Sequence, residues 1–303
     1  ARGAPLVSRL EEIRLEIAAE TGFDTPGIRV CDRMSLPPTQ YVIHLKESPL
    51  ASGEIFLDRL LAVGNLEQLG ALKGWITTEP AFGAPAKWIE PSEQEAAEKA
   101  GLFLLGPLNV LLTHIKEALI SHAPEILGLQ ETAFLLQSLG ETHPVVVEDF
   151  LKETHLLRKL RAVLQKLLSE RVSIRDLVTI LEVAGDHLEE LKNPDLVTEF
   201  VRTALGRQIC HSLLSEEGKL PVLLLDENAE QTLLSFLRET PAGQDFSPQG
   251  EEADNLLRAL KKAVEENHLP LSILAAAAVR RFLRRFILPF LPAVPVLSRS
   301  EIP

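Results

Sequence analysis

The sequence is poor in cysteine, in aromatic residues and in long apolar runs. Among its 303 residues there are only two cysteines, Cys31 and Cys210. Two cysteines so far apart cannot build the disulfide framework of a small secreted protein, which favours a reducing compartment. No apolar stretch reaches the roughly 18 uninterrupted residues that predict a membrane-spanning helix. The longest, residues 101–112, is interrupted by a glycine, a proline and an asparagine.

Positive charge is also scarce relative to negative charge. Lysine and arginine total 31 against 43 aspartates and glutamates, which gives a net charge of −12. An acidic chain lacks the basic footprint that nucleic-acid binding requires, so we expect no nucleic-acid partner. The first residues contain no signal-peptide core and no initiator methionine. We therefore expect a soluble, cytoplasmic piece of a longer protein.

Hydrophobic periodicity predicts a chain of mixed helices and strands. The N-terminal half combines a helix over 5–20, strands over 28–32 and 41–46, and a helix from Pro107 to about residue 121. From about 124 the pattern is helical, most clearly over 150–168, where leucines recur at three-four spacing.

Strands return near residue 220. The runs 220–226, 268–275 and 293–298 alternate with helical segments in the order β-α-α-β-α-β, and the first of them has the fully apolar composition of a buried strand. The predicted fold class is therefore α+β with several subdomains: a small α/β subdomain, an inserted α+β subdomain, an all-helical middle and a C-terminal α/β subdomain.

Sequence motifs of common enzymes are missing. The chain has no G-x-S-x-G, S-x-x-K, H-E-x-x-H, P-loop or G-x-G-x-x-G sequence. His114 and His122 share a predicted helix but lie eight residues apart, whereas a metal pair on one helix usually needs a spacing of three or four. We expect no enzyme activity, no metal and no cofactor. A triad built from distant residues leaves no local motif, so a hydrolase with its site in a cleft between subdomains stays an alternative.

Two stretches have unusual composition. "EPAFGAPAKWI" (79–89) places Phe82 and Trp88 in a segment rich in proline and glycine. It fits a packed crossing between subdomains, a partner surface with Phe82 exposed beside Glu79, or a catalytic loop with Glu79 as its acid.

The second stretch, "VRRFLRRF" (279–286), carries Arg280, Arg281, Arg284 and Arg285 between apolar residues. It fits a solvated helix face beside a core stripe. Alternatively, the arginines bind acidic neighbours, either in another copy of this acidic chain or in a partner.

Several segments together resemble one known family. They are "RVCDRMSLPPTQYVIHLK", "EPAFGAPAKWI", "LLTHI", "LGLQE", "VLQKLLSERVSIRDLVTILE", "LVTEFVRTALGRQI" and "PVLSRSEI", in the family's order. The chain resembles the cytoplasmic domain of the type III secretion export gate, whose flagellar branch is FlhA-type and whose virulence branch is SctV-type. "EPAFG", "SLPPTQY" and "ALGRQI" favour the flagellar branch. Leu129 and Val178 depart from it, because flagellar members often have arginine at those two positions.

The resemblance implies an architecture of four subdomains. They would cover 1–57 with 107–127, then the insertion 58–106, the helical part 128–207 and the C-terminal part 208–303. It also implies a nine-membered ring at the cytoplasmic face of the bacterial inner membrane, below a membrane-spanning half that this chain lacks. The arginines of 279–286 are candidates for the ring interface.

The resemblance further implies a docking platform. Export chaperones carrying cargo would bind it, other export-apparatus proteins including the ATPase complex would contact it, and it would pass substrates to the export channel without being an enzyme. In flagellar members the chaperones dock in a dimple between the first two subdomains. By motif, that dimple corresponds here to Glu79, Phe82 and Thr113, and an apolar position upstream corresponds to Leu69.

Overall fold

The computed structural model describes residues 4–240, 243–267 and 271–303. The chain forms two compact units, residues 1–127 and 128–303. Both units contain helices and strands, which confirms the predicted α+β class. The division between the units falls where the sequence predicts the start of the helical subdomain. The finer division into four subdomains stays a prediction.

The first unit contains five helices and six strands among the residues that the structure describes. In chain order they are α1 (Ala4–Thr21), β1 (Gln40–Leu45), β2 (Ser48–Glu54), β3 (Leu60–Val63), α2 (Leu66–Gly70), β4 (Trp75–Thr78), β5 (Pro85–Ile89), α3 (Gln94–Lys99), β6 (Phe103–Leu105), α4 (Pro107–Ser121) and α5 (Ala123–Ile126).

Helices α1 and α4 pack through aliphatic stripes. Leu10, Ile13 and Ile17 of α1 contact Leu112 and Ile120 of α4, all of them buried. The stripe on α1 was expected from the three-four spacing of its apolar residues. Helix α4 begins with proline at its first position, where the missing N–H is no loss. The helix predicted from Pro107 to about residue 121 is confirmed as Pro107–Ser121.

The strand predicted over 28–32 is wrong. The structure has irregular, mostly exposed backbone there, and no described strand pairs with it. An apolar-polar pattern alone does not supply the ladder partner that a strand needs. The strand predicted over 41–46 is confirmed as β1, which pairs antiparallel with β2.

The four-stranded antiparallel sheet has the order β4-β5-β3-β6 and lies within the stretch predicted as an insertion. One face packs on α2 and α3 through Ala62, Leu69 and Ile89. The other face packs through Leu61 and Trp88 on the N-terminal turn of α4. The side chains of Leu61, Leu69 and Ile89, when fully buried, each contribute about 1.5–3 kcal/mol to folding.

The second unit begins with helices and continues with alternating strands and helices. In chain order they are α6 (Leu129–Gly140), α7 (Pro144–Lys152), α8 (Thr154–Ser169), α9 (Leu177–Asp186), α10 (Pro194–Ala204), α11 (Gly206–Ser212), β7 (Val222–Leu224), α12 (Glu227–Ser235), β8 (Leu237–Thr240), β9 (Gly243–Phe246), α13 (Glu251–Glu266), β10 (Ser272–Ala275), α14 (Ala277–Ile287) and β11 (Val296–Ser298).

The helical part follows the sequence signals at most of its ends. Asp176 caps α9 by accepting a hydrogen bond from the backbone N–H of Thr179, and Asn193 caps α10. The single helix predicted over 150–168 is divided at Glu153, where the backbone is extended. The leucines of α8 form the buried face of this part.

The C-terminal part is built on a parallel sheet in the order β11-β10-β7. Its core includes Leu233, Ile273 and Leu283. The hairpin of β8 and β9 was not predicted. The strand predicted as buried over 220–226 is an edge strand, β7, and the side chains of Val222 and Leu224, which point to the same face of the sheet, are exposed. Residues 268–270 of the strand predicted over 268–275 lie outside the described residues.

Candidate functional site

A tight turn joins β4 to β5 and contains the "EPAFGA" segment. Thr78 pairs with Pro85, and the N–H of Glu79 donates to the carbonyl of Ala84 at 2.8 Å. The N–H of Gly83 donates to the carbonyl of Glu79 at 3.0 Å, with Gly83 at a φ of +73°. That left-handed conformation favours glycine because it has no Cβ. The turn is therefore closed by its own backbone bonds.

The carboxylate of Glu79 points into this turn. It is 3% exposed, and it accepts hydrogen bonds from the backbone N–H of Ala81 at 3.0 Å and of Phe82 at 2.7 Å. Hydrogen bonds to an ionised acceptor are about twice as strong as neutral ones. The expected role of Glu79 as a direct partner contact is thus corrected. The buried carboxylate holds the turn.

Phe82 lies at the tip of the same turn and is 69% exposed. Trp88, six positions later, is 3% exposed and contacts Phe56 edge-on. The interpretation in which both aromatics are packed is therefore wrong for Phe82, whereas Trp88 is buried. The hairpin has a buried anchor at one end and an aromatic side chain in solvent at the other.

Tyr41 and His114 lie near the turn and were not predicted as a pair. The hydroxyl of Tyr41 is 2.7 Å from Nδ1 of His114, and their rings are edge-on. Burial, together with the charge of Glu79, raises the pKa of Tyr41 above its ordinary range. Burial lowers the pKa of His114, although Glu79 opposes this shift. The pair is therefore neutral at pH 7, and Tyr41 is available as the donor to an unprotonated Nδ1.

Thr113 precedes His114 on α4 and is partly buried. Because the charge of Glu79 acts on His114, the turn and this part of α4 are neighbours. The part of Thr113 in a docking surface stays a prediction, because it rests on the family resemblance alone.

Leu69 does not belong to this surface. Its side chain is 2% exposed in the core between the sheet and α2, so it is not available to a partner in this structure. Its carbonyl and that of Leu72 accept hydrogen bonds at 2.6 and 2.7 Å from the buried ammonium group of Lys87. Lys87, which sequence analysis overlooked, stabilises the C-terminal end of α2.

The arginine-rich helix α14 is largely buried. Arg280 is 1% exposed and donates to the carboxylates of Glu170 and Glu199. Arg284 is 8% exposed and donates to the carbonyls of Val294 and Pro292. The expected solvated face and ring interface are corrected for these two arginines, because their donors are bound within the unit. Arg281, which stacks on Phe282, and the exposed Arg285 stay candidates.

Arg280 belongs to a larger ionic cluster, which also includes Arg202 and Glu301. Arg202 donates to both carboxylate oxygens of Glu301 at 2.8 and 3.0 Å and lies 3.3 Å from Glu170. Burial alone raises the pKa of Glu170, but the charges of Arg280 and Arg202 outweigh it and lower that pKa. For Glu199 burial prevails and raises the pKa. The cluster joins α8, α10, α14 and the last residues of the unit.

Metal binding finds no support in the described part of the chain, which holds no group of three or more His, Cys, Asp or Glu side chains placed for it. Likewise, none of the described helices is long and apolar enough to cross a membrane.

The candidate site consists of an exposed aromatic on a rigid turn beside a neutral, hydrogen-bonded Tyr-His pair.

By fold and site, the chain is an α+β protein that exposes an aromatic side chain on an ordered hairpin. The FHIPEP family profile matches residues 1–303, so the chain belongs to the FHIPEP family. It is 33% identical over 304 residues to the flagellar biosynthesis protein FlhA of Bacillus subtilis strain 168. That alignment covers 99% of this chain and 45% of FlhA, so the chain spans about half the length of this relative.

Solved structures have the same fold. The CdsV protein of Chlamydia pneumoniae superposes with a TM-score of 0.83 at 28% identity, over 98% of this chain and 86% of CdsV. The nonameric SctV-C of EPEC superposes with a TM-score of 0.79 at 24% identity, over 98% of this chain and 90% of that one. At the lower identity the similarity establishes the shared fold alone.

Proposed function

We propose that this chain is the docking platform of a bacterial type III protein export gate, of the flagellar type. It binds export chaperones that carry their cargo and passes the cargo to the export channel. The proposal rests on the exposed Phe82, which a buried carboxylate holds at the tip of its turn. The similarity to flagellar FlhA supports the flagellar branch, and a virulence injectisome gate is the alternative.

The geometry suits reversible binding. A phenylalanine that a partner buries fully contributes at most about 1.5–3 kcal/mol, which corresponds to a roughly tenfold to hundredfold change in affinity. The turn is already ordered by hydrogen bonds, so little conformational entropy is lost on docking. A weak but preorganised contact lets cargo leave again, and this is what a transit site requires.

Further parts of the proposal follow from the family. We propose a nine-membered ring at the cytoplasmic face of the inner membrane, contacts with other export-apparatus proteins including the ATPase complex, and no catalytic step on this chain. Arg281 and Arg285 are the arginines of α14 that can take part in contacts between copies. The catalytic interpretation of Glu79 gains no support, because its buried carboxylate accepts hydrogen bonds from backbone amides. A hydrolase with its site in a cleft between subdomains stays the remote alternative.

The test compares two exposed phenylalanines. Phe82→Ala should weaken binding of a chaperone–cargo complex from the same genome by tenfold or more, measured by calorimetry on the 303-residue chain. Phe134→Ala is the matched control, because Phe134 is 59% exposed on α6 in the other unit. Unchanged affinity of the Phe82 variant with an intact fold would remove the docking role from this turn.

A further inference from the structure

The first strand of the hairpin, β4, lies at one edge of the four-stranded sheet. In the antiparallel pair of β4 and β5, Trp75 lies opposite Trp88 and Thr77 opposite Ala86. The bond between the N–H of Glu79 and the carbonyl of Ala84 marks the next hydrogen-bonded pair. Along an antiparallel pair of strands, hydrogen-bonded residue pairs alternate with non-hydrogen-bonded pairs. Counting back from Glu79 in steps of two, Thr77 and Trp75 are therefore the residues whose backbone groups point toward β5.

Ile76 and Thr78 are therefore the residues whose N–H and C=O groups point away from the sheet. Proline at position 85, opposite Thr78, fits this register because it has no N–H to donate across the pair. Strand β4 pairs with β5 alone among the described strands. Two outward donors and two outward acceptors thus lie along an open edge.

At four residues β4 is short, but apart from its length it lacks the features that usually protect an exposed strand. The sequence of β4 is Trp-Ile-Thr-Thr, without lysine, proline or a bulge, and its residues have high β-propensity. Ile76 is 74% exposed and Thr78 is exposed too. An apolar, unprotected edge of this kind is a template for another strand.

The edge is continuous with the proposed docking turn. Phe82 follows β4 directly around the turn, and Trp75 at the start of the strand is 51% exposed. Beside Trp75 lies a shallow depression of about 300 Å³ lined by charged side chains of both signs, Arg59, Lys73, Glu90 and Glu93. A segment along β4 would thus contact an apolar residue at one end and charged residues at the other.

We propose that β4 binds an extended segment of the chaperone–cargo complex as an added strand, which deepens the proposed function and rests on it. Outward backbone groups specify extended polypeptide, since a helix has no free backbone groups to offer along its length. The segment has an apolar side chain next to Phe82 and a polar or charged side chain next to Trp75. Its backbone bonds supply affinity, and these side chains supply specificity.

The test is residue-resolved amide hydrogen exchange on the 303-residue chain with and without the complex. The N–H groups of Ile76 and Thr78 should become protected, while those of Trp75 and Thr77, already bonded to β5, should change little. Protection of all four, or of none, would overturn the added strand. A complex that binds through Phe82 without this alternation would leave the proposed function standing and remove the inference.

Variants separate the backbone from the side chain. Ile76→Pro removes an outward N–H and should weaken binding tenfold or more, whereas Ile76→Val keeps the N–H and the branched side chain and should bind within twofold. The control Leu15→Lys alters an equally exposed leucine, 71% exposed on α1, and should have no effect. Equal affinity of the proline and valine variants, both folded, would contradict the proposal.

A synthetic peptide of alternating valine and threonine tests the edge without the complex. At millimolar concentration it should shift the NMR signals of Ile76 and Thr78, and its N-methylated form should not. If this peptide binds but the chaperone–cargo complex does not, the edge of β4 accepts an added strand and the proposed docking function is rejected. Equal shifts of the NMR signals with both peptides would reject backbone pairing at the edge of β4.

Discussion

The hairpin turn and helix α14 reverse the usual relation between polarity and burial. In the turn, apolar Phe82 is 69% exposed, whereas in α14 the charged side chain of Arg280 is 1% exposed. Both arrangements depend on carboxylates that are buried or partly buried. Glu79 accepts from backbone amides and holds an aromatic outward, whereas Glu170 and Glu199 accept from guanidinium groups and fix helices together. Composition alone does not tell which residue faces solvent; the partners of the carboxylate do.

The largest effect is expected at Arg280. Arg280→Met leaves Glu199 without its cation and takes one of two guanidinium partners from Glu170, and removing one partner from a buried ion pair costs about 3–5 kcal/mol. Urea unfolding of the whole chain, followed by hydrogen exchange in residues 128–303, should show this loss. Arg285→Met, five residues further along the same helix but exposed, should change stability by less than about 0.5 kcal/mol. Similar losses for both variants would show that the ionic cluster is not what distinguishes the buried arginine.

A smaller effect is expected at Gly83. Its φ of +73° costs a residue with a Cβ about 1–2 kcal/mol, although an added Cβ would meet nothing within 4 Å. Gly83→Ala should therefore destabilise the first unit by that amount and speed amide exchange at Phe82. Gly27→Ala is the control, because its surroundings are equally open without a left-handed φ. Equal stability of the two variants would mean that the turn relaxes freely.

The smallest effect is a pH dependence of the first unit. Because burial lowers the pKa of His114 in the folded chain, the unfolded chain binds more protons just below the ordinary value of about 6.5. Stability should therefore fall as pH drops from about 7 to 5. His114→Asn keeps an acceptor for Tyr41 and should flatten this part of the profile. His44→Asn, at an exposed histidine, should leave it unchanged, and a profile that responds equally to both would contradict the assignment.

Much of the fold was predictable from local signals in the sequence. Asn193 and Pro194 mark the start of α10, and the leucine spacing of α8 predicts its buried face, because caps and stripes depend on near neighbours. The strand predicted over 28–32 failed because a strand depends on a distant partner. The division at Glu153 was equally invisible in the apolar spacing.

The candidate site was predictable only in part. The composition of 79–89 and the family resemblance pointed to Phe82, whose exposure agrees with a partner surface. The Tyr41–His114 pair joins residues 73 positions apart, and the Arg280–Glu170 pair joins residues 110 apart, so neither leaves a sequence pattern. Leu69 and Arg280 were misplaced for the same reason, because their burial depends on elements far along the chain.

In the proposed docking mode, Glu79 acts through Phe82 and does not contact the partner itself. This claim is tested by the affinity of a chaperone–cargo complex for Glu79→Gln, Phe82→Ala and the double variant. We predict that Glu79→Gln weakens binding when Phe82 is present and has almost no further effect in the Phe82→Ala background. Equal losses in both backgrounds would contradict the account, because they would show that the carboxylate contributes to binding independently of the aromatic side chain.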